Sequence, residues 1–584
     1  MFSHRGDRGA ADAVNDGTEI PAPLPLWRWG IRLTGLWLNR LRSYEHLYLM
    51  ALAGIIGLLC GLGAILLHQL IHLLQQLFWV GTHFDPDDLA NSPAWRLALA
   101  PILGGLAVGP LIHFFAPEAG GHGVPEVIRA VAERNGLIRK RLVVVKSLAS
   151  AITISSGGSA GREGPIIQIG AAIASTVGQL LRVPPQQLRI LAGCGAAAGI
   201  AATFNAPIAG TLFAVEVILG EFGILQFSPI VIAAVTSTVV ARGAWGNEPV
   251  FHAPAYTLVN GYELLLYAGL GVLCGFVSAA FKSLMSHAET RFETWRGLPA
   301  MWKPAVGGLL TAAIGVWLPA VYGDGYASVN ASLVDRIPWT VLGLLLVLKM
   351  AATSFTLGSG GSGGVFAPSL FIGAMAGGLL GHLAQHLHGV HSGSPGSYAL
   401  VGMGGMVAGA MHAPITAMIM IFELTGTYTI ILPLMTVCSI STLISSRLRK
   451  ESIYTWKLAR QGVDLYRGRS LDIFQRRPVR SAMLADPPCL RPESPASAVL
   501  EQLLNGTHDC VYITDTERRL LGIVSLAELK SLLVRRDALR HGIIALDLAN
   551  EQPPVCRPDD DLRDAMVLFG SSGLSELPVI DGPE

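Results

Sequence analysis

The chain has 584 residues, of which 51% are hydrophobic and only 14% charged, with a mean hydropathy of +0.48. That is too apolar for an ordinary soluble protein and places the chain among polytopic membrane proteins. A formal net charge of +1 argues against a nucleic-acid partner.

The charged stretch Met1 to Asp16 and the segment Pro21-Ala22-Pro23-Leu24-Pro25 lack the apolar core of a signal peptide, so residues 1–44 read as a tail. Leu47 to Leu67 carries no charge and is long enough to span a bilayer, as are Phe222 to Ala241 and Leu424 to Ser446. Many other apolar runs are broken by Gly or Pro. Arg28, Arg32, Arg40 and Arg42 precede the first span, Arg129 to Lys146 forms a basic loop, and Arg447, Arg449 and Lys450 follow the last span. Their excess of Lys and Arg assigns all three to the cytoplasmic side, which predicts cytoplasmic termini and an even number of crossings. The cysteines at 60, 194, 274, 438, 489, 510 and 556 form no CxxC pair or metal-like spacing and read as small apolar fillers, so no metal is expected.

Within the apolar region, residues 45–450, the sequence repeats itself. Ser156-Gly157-Gly158-Ser159-Ala160-Gly161-Arg162-Glu163-Gly164-Pro165 returns as Ser359-Gly360-Gly361-Ser362-Gly363-Gly364-Val365-Phe366-Ala367-Pro368, flanked in register by Lys146 and Lys349 and by Ile169 to Ala171 and Ile372 to Ala374. Gly195 to Glu216, with Asn205-Ala206-Pro207-Ile208, matches Gly402 to Glu423, with His412-Ala413-Pro414-Ile415. Two halves, about residues 45–245 and 260–450, are therefore duplicated. If each crosses an odd number of times they are inverted relative to one another. Paired Gly-rich breaks in two apolar halves point to a transport site, because freed backbone groups are tolerated in a bilayer only where they line a cavity.

Glycines let backbone N–H groups converge on a ligand, and N–H groups at a helix start favour an anion. Neither copy ends in the Gly-Lys-Ser/Thr of a phosphate-binding loop, so an ATPase is not expected. The copies differ at Glu163, where the second has Phe366. A carboxylate in a loop built for anions can mimic the ion: ionised it blocks the path, protonated it leaves. The competing reading is a structural ion pair with Arg162. A cation transporter would need clustered acidic or carbonyl ligands, and a membrane enzyme would need a catalytic signature such as HExxH or GxSxG; the apolar half offers neither.

After Lys450 the composition becomes soluble. Residues 451–477 form a linker and residues 478–584 a tandem α/β module, in which Pro487-Pro488-Cys489-Leu490-Arg491-Pro492 recurs as Pro553-Pro554-Val555-Cys556-Arg557-Pro558. Leu521 to Ser525 reads as a strand leading into a helix start at Leu526 to Leu529, and the second copy reaches Glu584 before its own equivalent, so that unit is expected to be incomplete as given.

At these residues the chain resembles the CLC family of chloride channels and chloride/proton antiporters. The family's loops are recognisable as Gly121-His122-Gly123-Val124-Pro125, Gly161-Arg162-Glu163-Gly164-Pro165 and Gly364-Val365-Phe366-Ala367-Pro368, and the tail resembles the CBS-domain pair that many members carry. The resemblance implies an all-α polytopic membrane fold of two inverted repeats of broken helices, followed by a small α/β CBS pair. It implies anion binding by the three loops, gating by Glu163, central donors in the amides of Val365 and Phe366, and an inner closure by Tyr454 in Ser452-Ile453-Tyr454. A homodimer in the bacterial inner (plasma) membrane with one chloride pathway per subunit follows from the same likeness. So does an adenine nucleotide at the CBS pair, although Glu528 replaces the aspartate often used for ribose; no other cofactor is implied. Two departures matter. His122 stands where the family usually presents serine, and either its ring or only the loop backbone faces the anion. Val217 stands where many proton-coupled members have a second glutamate, which leans the reading toward a voltage- or pH-gated chloride channel with weak or no proton coupling, with a chloride/proton antiporter as the alternative.

Overall fold

The computed structural model describes residues 45–581 apart from 81–83, 248–249, 252–260, 389–392, 464–476, 485, 507, 527–528, 530–542 and 573. The 1–44 tail with its arginines, residues 464–476 of the 451–477 linker, Glu528 and Glu584 lie outside the described residues. The chain divides into two units, Met1–Lys457 and Leu458–Glu584.

The first unit is helical. Its first half runs α1 (Glu45–Phe78), α2 (Ala94–Phe115), α3 (Val124–Glu133), α4 (Leu142–Ser155), α5 (Glu163–Leu180), α6 (Pro185–Phe204), α7 (Pro207–Phe213, prolonged by a π turn Ala214–Leu219) and α8 (Ile224–Trp245). The second half repeats this order as α9 (Glu263–Thr294), α10 (Lys303–Gly315), α11 (Tyr326–Leu333), α12 (Trp339–Gly358), α13 (Phe366–His388), α14 (Pro395–Met411), α15 (Pro414–Thr425) and α16 (Ile431–Leu448), and the short α17 (Trp456–Arg460) lies across the boundary between the units. Among the described residues, 8 helices are long and apolar enough to cross a membrane. Leu58, Leu62, Leu66 and Leu73 of α1 remain exposed, as a lipid-facing surface requires.

The breaks between helices follow local chemistry. Asn205 and His412, repeat partners, both take the left-handed conformation at φ 57° and end α6 and α14. Each is followed by Ala-Pro, and the residue before proline disfavours the helical region. Gly426, at φ 64°, ends α15. The expected single span from Leu424 to Ser446 is thereby corrected: its first residues finish α15, and the crossing helix begins only at Ile431.

Packing is duplicated as faithfully as the sequence. In one half α5 packs on α6, α6 on α8 and α8 on α1; in the other α13 packs on α14, α14 on α16 and α16 on α9. Gly170 of α5 and Gly195 of α6 sit so close that a Cβ on either would strike the other's backbone, and Gly373 and Gly402 repeat this between α13 and α14.

Where the halves meet, two glutamates settle their relation. Near the C-terminal end of α7, Glu216 accepts from the N–H groups of Ile415 (3.3 Å) and Thr416 (2.8 Å) and from the Thr416 hydroxyl (2.6 Å) at the start of α15. Glu423, near the end of α15, accepts from Ile208 N–H (3.1 Å) and Ala209 N–H (2.7 Å) at the start of α7. Each carboxylate caps the repeat partner's orphan amides, where the helix dipole favours negative charge. The two helices must run antiparallel for this, as inverted repeats require.

In the second unit, β1 (Cys489–Leu490) pairs in parallel with β2 (Cys510–Thr514), which pairs antiparallel with β3 (Leu520–Ser525). The first copy's core gathers Val499 and Leu503 of α18 (Ala496–Asn505) on Val511, Ile513 and Val524. Asp515 turns the β2–β3 hairpin by accepting from Glu517 N–H at 2.9 Å and Arg519 N–H at 2.8 Å. A smaller core of Val479, Cys556 and Ala565, the last on α19 (Leu562–Ser572), marks the second copy. Both copies contribute to a cavity of about 590 Å³, walled by Cys489, Tyr512, Cys556 and Val579 and carrying His508, Arg518 and Glu576.

Candidate functional site

The repeated loops meet each other. Gly161 and Gly364, partners in the repeat, exchange backbone hydrogen bonds of 2.9 and 2.7 Å in an antiparallel bridge. Mirrored hydroxyl pairs flank it, Ser150 with Ser362 at 2.8 Å and Ser159 with Thr353 at 3.0 Å. The third loop joins through Gly121, whose N–H donates to Gly361 O (2.9 Å) and whose carbonyl accepts from Gly363 N–H (3.3 Å). The segments 121–125, 161–165 and 364–368 therefore converge as the sequence predicts. The crossing is tight: a Cβ on Gly161 would meet the Glu163 carboxylate and the Cβ of Ala367.

Each loop feeds a helix start: α3 begins at Val124, α5 at Glu163 and α13 at Phe366. Pro125, Pro165 and Pro368 lie in the first turns, where the missing N–H has no intrahelical partner to lose. The amides of Val365 and Phe366 stand at the start of α13, where N–H groups carry partial positive charge. Two buried lysines reinforce the loops in mirror image. Lys146 Nζ donates to Ala119 O and Gly121 O, both at 2.9 Å, and Lys349 Nζ donates to Val321 O and Gly323 O, both at 2.9 Å. Converging amides with nearby ammonium charge suit an anion.

Glu163 is 0% exposed. Its Oε1 accepts from the Tyr326 hydroxyl, and its Oε2 is buried with no hydrogen-bond partner among the described residues. Arg162 turns away from it: Nη1 lies 2.5 Å from His68 Nδ1, and the guanidinium sits 5.7 Å from the Tyr326 ring. The structure thus does not form the Arg162–Glu163 ion pair of the alternative reading. In the second copy Phe366 packs its ring 5.1 Å from Phe204 instead.

Tyr454 is buried with its ring 5.9 Å from that of His122 and 6.2 Å from that of Phe213 on α7. Ile453 N–H donates to Ala410 O at 2.9 Å and fixes this segment against α14. His122 is buried and turned toward Tyr454, with Nδ1 free of any partner among the described residues. Val217 lies in the π turn beside Glu216, a helix irregularity of the kind common at functional sites. Farther out, burial works against the Lys457 ammonium, but Glu289 at 2.6 Å and Glu293 outweigh it and hold the group above the ordinary lysine value.

One element of the site escaped the sequence reading. Pro319 to Tyr326 is the repeat partner of Pro117 to Val124: both start with a 3₁₀ turn, and Gly323 and Gly325, at φ 60° and 81°, reproduce Gly121 and Gly123, at φ 70° and 80°. The signal was the Gly-x-Gly spacing at nearly the same distance before each lysine, Gly121 to Lys146 and Gly323 to Lys349 differing by one residue. Tyr326 therefore occupies the place of Val124, and Asp324 that of His122.

Comparison with known proteins agrees with this geometry. The voltage gated chloride channel family pattern matches residues 104–446, and the CBS domain pattern matches residues 479–535 and 544–584. A putative chloride channel protein, ClcB-like, from Ralstonia nicotianae is 35% identical over 72% of this chain and 98% of its own length. Chloride channel protein CLC-e of Arabidopsis thaliana is 30% identical over 91% of this chain and 84% of its own. Among solved structures, a slow cyanobacterial Cl⁻/H⁺ antiporter superposes with a TM-score of 0.64 at 26% identity, covering 71% of this chain and 97% of that one.

Proposed function

The chain belongs to the voltage gated chloride channel family and carries a CBS-domain pair, and from that premise we propose that it passes chloride through a pathway gated by Glu163, in channel fashion with weak or no proton coupling. The observation that carries the gate is the buried Glu163 carboxylate lying against Gly161 at the crossing of the two repeated loops. Ionised, it competes with chloride for the amides of the three loops. Protonated, it no longer needs that cationic environment and yields the place. The amides of Val365 and Phe366 serve as the central donors, and the paired rings of Tyr454 and His122 narrow the inner end. The absence of an acid at Val217 supports weak coupling, since the inner proton acceptor of coupled members would stand there.

A coupled antiporter is the second reading, favoured by the likeness to the cyanobacterial antiporter. In either case the protein acts as a homodimer in the plasma membrane with cytoplasmic termini. The cavity of about 590 Å³ between the CBS copies, with Arg518 and His508 at its wall, suits an adenine nucleotide that regulates flux.

The test is chloride flux in liposomes containing only this protein. Glu163→Gln is expected to conduct with no dependence on external pH. Reversal potentials under opposed chloride and proton gradients then decide the mode: the channel reading requires reversal to follow chloride alone. A Glu163→Gln protein that folds normally and keeps wild-type pH dependence refutes the gate.

A further inference from the structure

The gate has a neighbour that the pairing of repeats makes conspicuous. Where the first half starts α3 with Val124, the second starts α11 with Tyr326, and this tyrosine alone of the two reaches Glu163. Its ring is held from several sides. Phe251 meets it edge-on at 5.3 Å and 88°, the Arg162 guanidinium lies 5.7 Å from its centroid, and its backbone N–H donates to Asp324 Oδ1 at 3.3 Å. Lys349 Nζ anchors the loop below through Val321 O and Gly323 O. A side chain pinned at ring and backbone can aim its hydroxyl at one place only.

That place is Glu163 Oε1, while Oε2 has no partner among the described residues. Tyr326 also lines a cavity of about 280 Å³ together with His68, His72, Arg162 and Asp324. It thus stands between a polar antechamber and the gate. We propose that Tyr326 is the positioning residue of the gate, a latch whose hydroxyl donates to Glu163 Oε1 and holds the ionised carboxylate in its blocking place. The inference rests on the reading of Glu163 as the gate. A phenol O–H donated to a carboxylate favours its ionised form, because a protonated carboxyl oxygen is the weaker acceptor. The other charged or titratable groups around the pair are Arg162, which carries positive charge to both, Asp324 beneath Tyr326, His68 against Arg162, His72 in the same cavity, and Tyr454, which feels the charge of Glu163. None of these is removed with the hydroxyl.

Tyr326→Phe in the full chain keeps the ring contacts to Phe251 and Arg162 and deletes only the donor. Chloride flux into liposomes, measured across external pH, is expected to reach half-activation at a pH about one unit higher than wild type, the shift produced by losing one hydrogen bond to an ion. In the Glu163→Gln background the same substitution is expected to change nothing in the pH profile. Tyr326→Leu, which removes ring and hydroxyl together, must move half-activation the same way. An unchanged profile in whichever of these variants assembles overturns the latch, as does altered flux amplitude without a shift. So does a shift that persists in the Glu163→Gln background. Glu163→Gln alone retaining wild-type pH dependence is a different outcome, which removes the gate itself.

Discussion

Glu216 is the position at which structure and transport mode can be separated by one substitution. It precedes Val217 in the chain, and a coupling role would be the natural suspicion if Val217 itself cannot carry protons. The geometry says otherwise: the carboxylate takes three hydrogen bonds at the start of α15, at 3.3, 2.8 and 2.6 Å. Hydrogen bonds to a charged group contribute about 1.5–3 kcal/mol each in soluble proteins, whereas cycles in a membrane bundle average about 0.6 kcal/mol. Glu216 is half-buried, so the cap as a whole falls between these limits, at about 2–4 kcal/mol. Glu216→Gln retains one accepting oxygen but loses the charge, and it is expected to lower the melting temperature of the purified protein by roughly 5 °C. Thr416→Val, which deletes the 2.6 Å bond alone, should couple non-additively to it. Glu423→Gln should behave alike, because it caps α7 in mirror image. Proton coupling, read from reversal potentials, should be unaffected in all three. A Glu216→Gln protein that melts as wild type yet shifts its reversal potential with the proton gradient would refute the capping role.

Two further outcomes follow from the site. Lys349→Met leaves the carbonyls of Val321 and Gly323 without their donor, and it should cost about 3 kcal/mol of stability, with Lys146→Met matching it, since each lysine makes the same pair of 2.9 Å bonds; a thermal melt in detergent checks both, and lost flux without lost stability would place the lysine in the pathway instead. His122→Ser exchanges a buried ring with a partnerless Nδ1 for a hydroxyl able to donate, so chloride binding measured calorimetrically should tighten about fivefold, the worth of one ordinary hydrogen bond; unchanged affinity would assign His122 to packing against Tyr454.

What could be read in the sequence depended on how the repeat is written there. The loops at Gly161 and Gly364 share residues as well as spacing, and their convergence was legible. Glu216 and Glu423 were legible as partners but not as reciprocal caps, because which helix start a carboxylate reaches is set by tertiary approach. The span from Leu424 to Ser446 was misjudged because one glycine in an apolar run is a weak stop signal, whereas Gly426 in fact takes the left-handed conformation that ends α15. Tyr326 was missed for a different reason. Its loop keeps only Gly-x-Gly and a preceding proline in common with the loop at Gly121, too little for recognition without the backbone angles that make the two alike.

The scaffold is nearly symmetric, and its departures from symmetry fall together. The Gly161–Gly364 bridge, the lysine anchors, the hydroxyl pairs and the helix caps occur in mirrored form, so none of these distinguishes one half from the other, whereas the bonds of Gly121 to Gly361 and Gly363 have no counterpart at Gly323 among the described residues. The distinction comes from Glu163 against Phe366, Tyr326 against Val124, His122 against Asp324, and a π turn after α7 where α15 runs on as a regular helix. Glu163 and Tyr326 bond to each other, while His122 packs on Tyr454, which in turn meets Phe213 at the entrance to the π turn. The carboxylate–phenol pair of Glu163 and Tyr326 and the imidazole–phenol pair of His122 and Tyr454 give two places beside the loop crossing different chemistry. If the proposed gate holds, a symmetric amide crossing can hold an anion equally from either direction, and a direction-dependent response to pH is then expected from residues the repeat does not match.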